Sequence, residues 1–400
     1  MGTGGALDGI RVLDLGTRIG APFCATLLGE LGADVIKVEH PDGGDFMRSI
    51  GPFADGTSLF WAVEGRGKRS ITLDLSKPDG QDVLRRLVEH ADVLVENFRP
   101  GTLERWNLAP ESLRAVNPKL VVARVSVFGQ DGPYRDRPGL DRNGIALGGL
   151  LGITGFPDGP PVRPGVVIAD YLSALFSAIG VLTALIERDR SGAGQDADVS
   201  LYESVLRVME WTVAAYDRLG LVRERAGNRL PNSAPLDNYR TADGRYVCIV
   251  AAGDALFPRL CSAMKKPDLP SDARFRTLAD RAANAEAINA IVAGWCAERT
   301  LAEIEETLIE HEVPVSGVYS IDQIAGDEQV RARSSLIVVE DPVLGPILQQ
   351  GAVPRLSRTP PKVLRGAPAL GQHDDEVYRG LLGMSEESLT DLRRKGVIGG

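Results

Sequence analysis

The sequence is poor in the residues that most often announce chemistry. It has four cysteines, four histidines and 6% aromatic residues in 400. Cys24, Cys248, Cys261 and Cys296 lie far apart, with no CxxC and no Cys/His ligand spacing, so neither a disulfide framework nor a zinc site is indicated and no metal is expected. His40, His90, His311 and His373 leave few possible members for a histidine triad. Positive charge is in deficit: 45 Lys and Arg stand against 54 Asp and Glu, a net charge of −9. That removes the general electrostatic footprint of a nucleic-acid or anionic-lipid binder. No apolar run approaches the roughly 18 to 20 residues of a membrane span. Residues 1–6 are Gly-rich and lack a basic segment followed by an apolar one, so no signal peptide is read there. The expectation is a soluble cytoplasmic protein. There is no G-x-S-x-G, no P-loop, no H-E-x-x-H and no internal repeat.

What is present is an ordinary globular composition, 44% hydrophobic and 25% charged. At about 150 residues per domain the length suggests two to three domains. In the first half, short β-branched runs alternate with amphipathic stretches. Strands are expected at 10–15, 34–39, 70–75, 92–96 and 120–127, and helices at 22–31, 78–90 and 110–116. This is the pattern of a parallel sheet covered by helices. Pro22 and Pro78 stand in first helical turns, where a missing N–H costs nothing.

Residues 132–165 are rich in Gly, Pro and Arg and carry few helix signals, and such a stretch inside a domain is usually functional. A long apolar helix is expected over 169–187, and further helix over 201–219. A polar junction at 223–235 precedes strands at 246–251, 313–318 and 335–340. Helices are expected at 255–264, 285–297 and 301–311, the last opened by Thr300 with Glu303 at capping-box spacing. Amphipathic segments close the chain at 374–382 and 385–395, with Ser385 and Thr390 as caps.

The opening strand-turn-helix mimics a dinucleotide-binding unit, but its turn, Gly16 to Pro22, is G-x-x-x-G-x-P. Arg18 occupies the place where the fingerprint needs a glycine for backbone approach to a pyrophosphate. Pro22 removes a further amide, so a nicotinamide cofactor is not expected. Asp170 follows an apolar strand-like run, 166–169, where the long helix begins. It reads either as the cap of that helix or as a partly desolvated carboxylate nucleophile. Asp141 is a second acid of the region or a solvated loop residue.

Seven segments, in order and spanning nearly the whole chain, resemble the family III CoA-transferases. They are LDGIRVLD (7–14), LGADVIKVE (31–39), GKRSI (67–71), VENFRPG (95–101), GQDGP (129–133), GNR (227–229) and PALGQH (368–373). The resemblance implies an α/β fold: a large Rossmann-like parallel-sheet domain formed by both chain ends (1–220 and 336–400) plus a smaller α+β middle domain (221–335). It also implies a homodimer of interlocked rings. Asp170 falls on the family's nucleophile position, with Asp141 as a nearby acid. Coenzyme A or acyl-CoA is implied as substrate and no prosthetic group is needed. Ile19 and Gly20 are placed along the pantetheine or thioester, and His40 on the phosphate side. Leu73 and Leu75 border the adenine, and Asn97, Phe98 and Arg105 complete the nucleotide site.

The chain departs from formyl-CoA transferase, which has a glutamine in place of Ile19, an arginine in place of His40, a lysine near Pro138 and a glycine-rich loop in place of residues 251–255. Oxalate and formate are therefore not expected as substrates. An α-methylacyl-CoA racemase is the rival reading, but its acid/base histidine is Leu140 here, and racemisation needs an acid and a base on opposite faces of the α-carbon. A CoA-binding protein without turnover is the third. Arg163, seven residues before Asp170, and Arg18 are each placed to clamp the distal carboxylate of a dicarboxylic acid by a bidentate pair. That suggests transfer of CoA from succinyl-CoA to a small dicarboxylic acid.

Overall fold

The computed structural model describes residues 4–399; residues 1–3, at the start of the segment weighed as a signal peptide, lie outside that range. Six strands form one parallel sheet: β1 (Arg11–Asp14), β2 (Asp34–Glu39), β3 (Arg69–Thr72), β4 (Val93–Glu96), β5 (Val121–Ser126) and β6 (Asp196–Ser200). Their order is β3-β2-β1-β4-β5-β6, the doubly wound arrangement. The parallel sheet expected from the alternating pattern is present. Its central strands are buried along almost their whole length, as a sheet covered on both faces requires. β6 escaped the sequence reading because its DADVS sequence is half exposed and charged, as sheet-edge strands tend to be.

Four helices bear on the candidate site: α1 (Gly20–Glu30), α2 (Asp141–Leu147), α3 (Ile168–Ser191) and α4 (Leu201–Arg207). α2, with the short Leu150–Ile153 helix, lies in a stretch expected to carry little helix. The helix expected over 201–219 is broken into Leu201–Arg207 and Thr212–Leu219. α3 also corrects the expectation that no apolar run is long enough to span a membrane. It has 24 residues, and its mean hydropathy reaches 1.7 over 18 of them. Here one stripe of it, including Ala174, Val181 and Leu185, is buried in the fold.

The chain divides into two compact units. One comprises Met1–Leu150, Pro164–Val213 and Gln329–Gly400; the other comprises Leu151–Arg163 and Ala214–Glu328. Residues 151–163 thus depart from the single N-terminal block 1–220 expected from the sequence. The second unit has a three-stranded antiparallel sheet, formed by Leu236–Arg240, Tyr246–Val250 and Val315–Gly317, and a core that includes Phe257, Phe275 and Trp295. The expected capping box at Thr300 and Glu303 is formed. Thr390, expected as a cap, lies inside the helix Glu386–Arg394, which Ser385 caps.

The free edge of β3 is covered by the returning C-terminal segment. Ser70 N–H donates to His373 Nδ1 (3.1 Å) and its carbonyl accepts from His373 N–H (2.9 Å). Thr72 N–H and Oγ1 donate to the two oxygens of Asp374 at 2.8 and 2.7 Å, and the Tyr378 hydroxyl donates to Thr72 O. An unpaired edge invites association with other chains, and these contacts close it. Asp374→Ala should therefore cost about 1–3 kcal/mol of stability by orphaning the Thr72 donors. The urea midpoint measures this, and an unchanged midpoint would show that the edge does not depend on this cap.

Candidate active site

Strands β1 and β2 and the residue that leads into β3 carry an unusual density of buried charge. Asp14, Lys37 and Lys68 are all essentially inaccessible. Lys68 Nζ donates to Asp14 Oδ2 and to the carbonyl of Pro22, both at 2.8 Å. Lys37 Nζ lies 3.5 Å from Asp14 Oδ1 and 2.9 Å from Asp45 Oδ2, and it donates to the carbonyl of Gly16. Burial alone would discharge Lys37, but Asp14, Asp45 and Glu39 outweigh it and hold its pKa above the ordinary lysine value. For Asp45 too, burial is outweighed, chiefly by Lys37 and the Met47 amide, and its carboxyl is held below the usual range. A lysine inside an otherwise apolar strand was the available sequence signal for this network, and the sequence reading did not use it.

The network fixes the turn between β1 and α1. Asn97 closes a two-way clamp on Thr17, accepting from its N–H at 2.8 Å and donating to its carbonyl at 2.7 Å. Arg18 N–H donates to Asp45 Oδ1 at 3.1 Å. Arg18 itself adopts a left-handed backbone, φ 67°, which is uncommon for a residue with a Cβ.

One end of this turn walls a cavity of about 290 Å³ at the carboxyl ends of the strands, where open α/β sheets place their ligands. Leu15, Gly16 and Thr17 line it, together with His40, Leu73, Leu75 and Phe98, all four of which were expected at a CoA site. Trp106, not singled out from the sequence, packs edge-on to Phe98 at 5.2 Å and completes the wall. His40 is exposed, with Nε2 3.9 Å from Asp74. Two other expected residues are engaged elsewhere. The Asn97 side chain is occupied by Thr17, and exposed Arg105 donates to Thr102 Oγ1 at 2.8 Å.

The other end of the turn reaches Asp170. A Cβ built on Gly20 would stand 3.5 Å from Asp170 Oδ1 and 3.2 Å from Val125, so a larger residue would crowd the carboxyl. Ile19 is buried with Met47 and Trp61, against the Val167 and Tyr171 side chains that flank Asp170. Tyr171 donates to the buried Glu64 at 2.9 Å and meets Phe23 edge-on.

Asp170 lies in the first turn of α3 but does not cap it. That role falls to Asp141, whose Oδ1 accepts from the N–H groups of Ala169 (2.8 Å) and Asp170 (3.4 Å). Gly144 permits this approach, since a side chain there would run into Leu201 of α4 and Ala169. The second oxygen of Asp141 is buried with no hydrogen-bond partner among the described residues. Burial, and after it the Asp141 carboxylate, push the pKa of Asp170 up to about 7; the Arg18 guanidinium opposes them. Arg163 belongs to the second unit and is exposed. Leu140, where a racemase would carry its histidine, is 59% exposed.

Residues 7–374 match the model of the CoA-transferase family III. The chain is 47% identical over 393 residues to a succinyl-CoA–D-citramalate CoA-transferase of Chloroflexus aurantiacus, covering 98% of both proteins. It is 46% identical to the beta subunit of a succinyl-CoA–L-malate CoA-transferase from the same organism, again over 98% of both. Among solved structures it resembles a CAIB/BAIF family protein from Brucella suis, with a TM-score of 0.84, 33% identity, and coverage of 94% of this chain and 99% of the other.

Asp170 should titrate with a midpoint near 7, protonated below it and ionised above, so its nucleophilicity should rise as pH rises through that value. Asp141→Asn removes a charge that raises the midpoint and should move it down. The ¹³C resonance of labelled aspartate reads both. A midpoint unmoved by the substitution would rule out Asp141 as the charge that Asp170 feels.

Proposed function

The chain belongs to the CoA-transferase family III, and from that premise we propose that it transfers CoA through a covalent intermediate on the Asp170 carboxylate. The enzyme moves CoA from an acyl thioester to a carboxylic acid, and its close relatives take CoA from succinyl-CoA. For this chain we take succinyl-CoA as donor and a small dicarboxylic acid as acceptor.

One observation carries the proposal. A single turn walls a partly apolar cavity at Thr17 and runs close to the half-buried Asp170 carboxyl at Gly20, three residues and at most roughly 11 Å of chain further on. A long thin substrate, with a nucleotide at one end and a thioester at the other, fits that layout. Leu73, Leu75, Phe98 and Trp106 would receive the adenine, with His40 facing solvent on the phosphate side. Ile19 and Gly20 would border the thioester. Arg105 would need to leave Thr102 to reach a phosphate, and Asn97 would act by holding Thr17.

In this reading the ionised Asp170 attacks the thioester carbonyl. The C–S bond breaks, CoA leaves as thiolate, and a mixed anhydride forms. The thiolate attacks the aspartyl carbonyl, releases the donor acid as carboxylate and leaves an aspartyl-CoA thioester. The acceptor carboxylate then repeats the exchange in reverse. Splitting the transfer in this way conserves the thioester's free energy while water is excluded. Burial, and after it Asp141, raise the basicity of Asp170, which strengthens the ionised carboxylate as a nucleophile towards the thioester.

We take the functional form to be a cytoplasmic homodimer. The four free thiols suit a reducing compartment. Leu175, Ile179 and Ile186 line one side of α3 at 47–64% exposure, a surface that a second copy would cover.

Incubation with succinyl-CoA followed by a borohydride or hydroxylamine quench should modify Asp170, as read by peptide mass spectrometry, and Asp170→Ala should abolish the modification. Unmodified protein across a panel of acyl-CoAs, with α-proton exchange into deuterated water, would overturn the transferase route.

A further inference from the structure

Four contacts hold the turn around Arg18. Lys37 binds the Gly16 carbonyl, Asn97 grips both backbone groups of Thr17, and Asp45 accepts from the Arg18 amide. The result is a β-carbon residue held in left-handed backbone at φ 67°. Such strain persists only where the surroundings over-determine it, and it clusters at sites of function. The arginine side chain is positioned too. Its guanidinium stacks on Phe46, 3.8 Å from the ring centroid, and among the described residues it makes no ion pair and no hydrogen bond. A planar fork of five donors, stacked on one face and unpaired along its edge, is arranged to take a carboxylate in bidentate fashion. Two residues further on, a Cβ on Gly20 would stand 3.5 Å from Asp170 Oδ1, and the Arg18 guanidinium is near enough to Asp170 to favour its ionised form.

We infer that Arg18 is the specificity residue that grips the distal carboxylate of a dicarboxylic acyl group while Asp170 meets the carbonyl at the other end. The inference rests on the transferase reading and deepens it. The substrate class follows from charge: the acyl group must carry a second carboxylate, and a monoacid of equal length leaves the guanidinium unpaired. The same clamp serves donor and acceptor, because both pass through the one aspartyl intermediate in turn. The anchors of the turn (Lys37, Asp45 and Asn97) are positioning residues that act through it.

The test compares succinyl-CoA with butyryl-CoA, which has the same chain length and a methyl in place of the carboxylate. The wild-type enzyme should favour succinyl-CoA in kcat/KM, and Arg18→Ala should reduce that preference by about 10- to 100-fold. Both substrates are measured on one preparation at pH 9, so the folded fraction cancels and Asp170 is ionised in each variant. Arg18→Lys keeps the charge without the fork and should give an intermediate preference; it decides the matter if the alanine variant is inactive. A succinyl/butyryl ratio unchanged within twofold in these variants, with Asp170 still modified, would overturn the assignment of Arg18 and leave the transferase reading intact. Failure of the wild-type protein to form any adduct would instead strike the transferase reading itself.

Discussion

Two buried lysines and a buried aspartate are the constraint on which the site depends. Lys37 and Lys68 share Asp14, and each spends a remaining proton on a backbone carbonyl, Gly16 for one and Pro22 for the other. Those carbonyls lie on either side of the β1–α1 turn, so the ion cluster fixes both ends of the segment that borders the cavity and Asp170. Removing one partner of such a buried cluster typically costs about 3–5 kcal/mol, because the remaining charge stays stranded. The cluster thus couples the stability of the sheet to the geometry of the turn. A fold held by apolar packing alone could relax there; this one has little freedom to do so.

The sheet was legible in the sequence because parallel strands buried on both faces read as short apolar runs, and 34–39 matches β2 residue for residue. β6 was not legible, since alternating aspartates at an edge carry no apolar signal. α2 was hidden for a different reason. It has only seven residues, includes Gly144 and follows an irregular Gly/Pro-rich stretch, so it owes its formation to packing on α3 and α4 rather than to propensity.

The site was legible in a similarly divided way. The apolar wall of the cavity followed from the resemblance at Leu73, Leu75 and Phe98. The engagements of Asn97 and Arg105 did not, because which group a polar side chain reaches is settled by tertiary distance. Asp170 read as a cap on local grounds. The cap is Asp141, 29 residues earlier in the chain, and no local pattern connects the two. This arrangement also bears on the raised pKa of Asp170. The α3 amides are directed to Asp141, which leaves Asp170 to face burial with the partial compensation of Arg18.

The cover over β3 has a consequence for how the protein is made. Ser70 and Thr72 meet their partners about 300 residues later in the chain, with separations of 303 and 302. At ribosomal rates of roughly 5–20 residues per second, that gap corresponds to about 15–60 s of synthesis. During that interval the growing chain holds an open strand edge and must build the whole second unit before the first can be sealed. Sheet closure is therefore a late event in the making of the chain. Until then the open edge is exposed to wrong pairing on the ribosome, well before any substrate is bound.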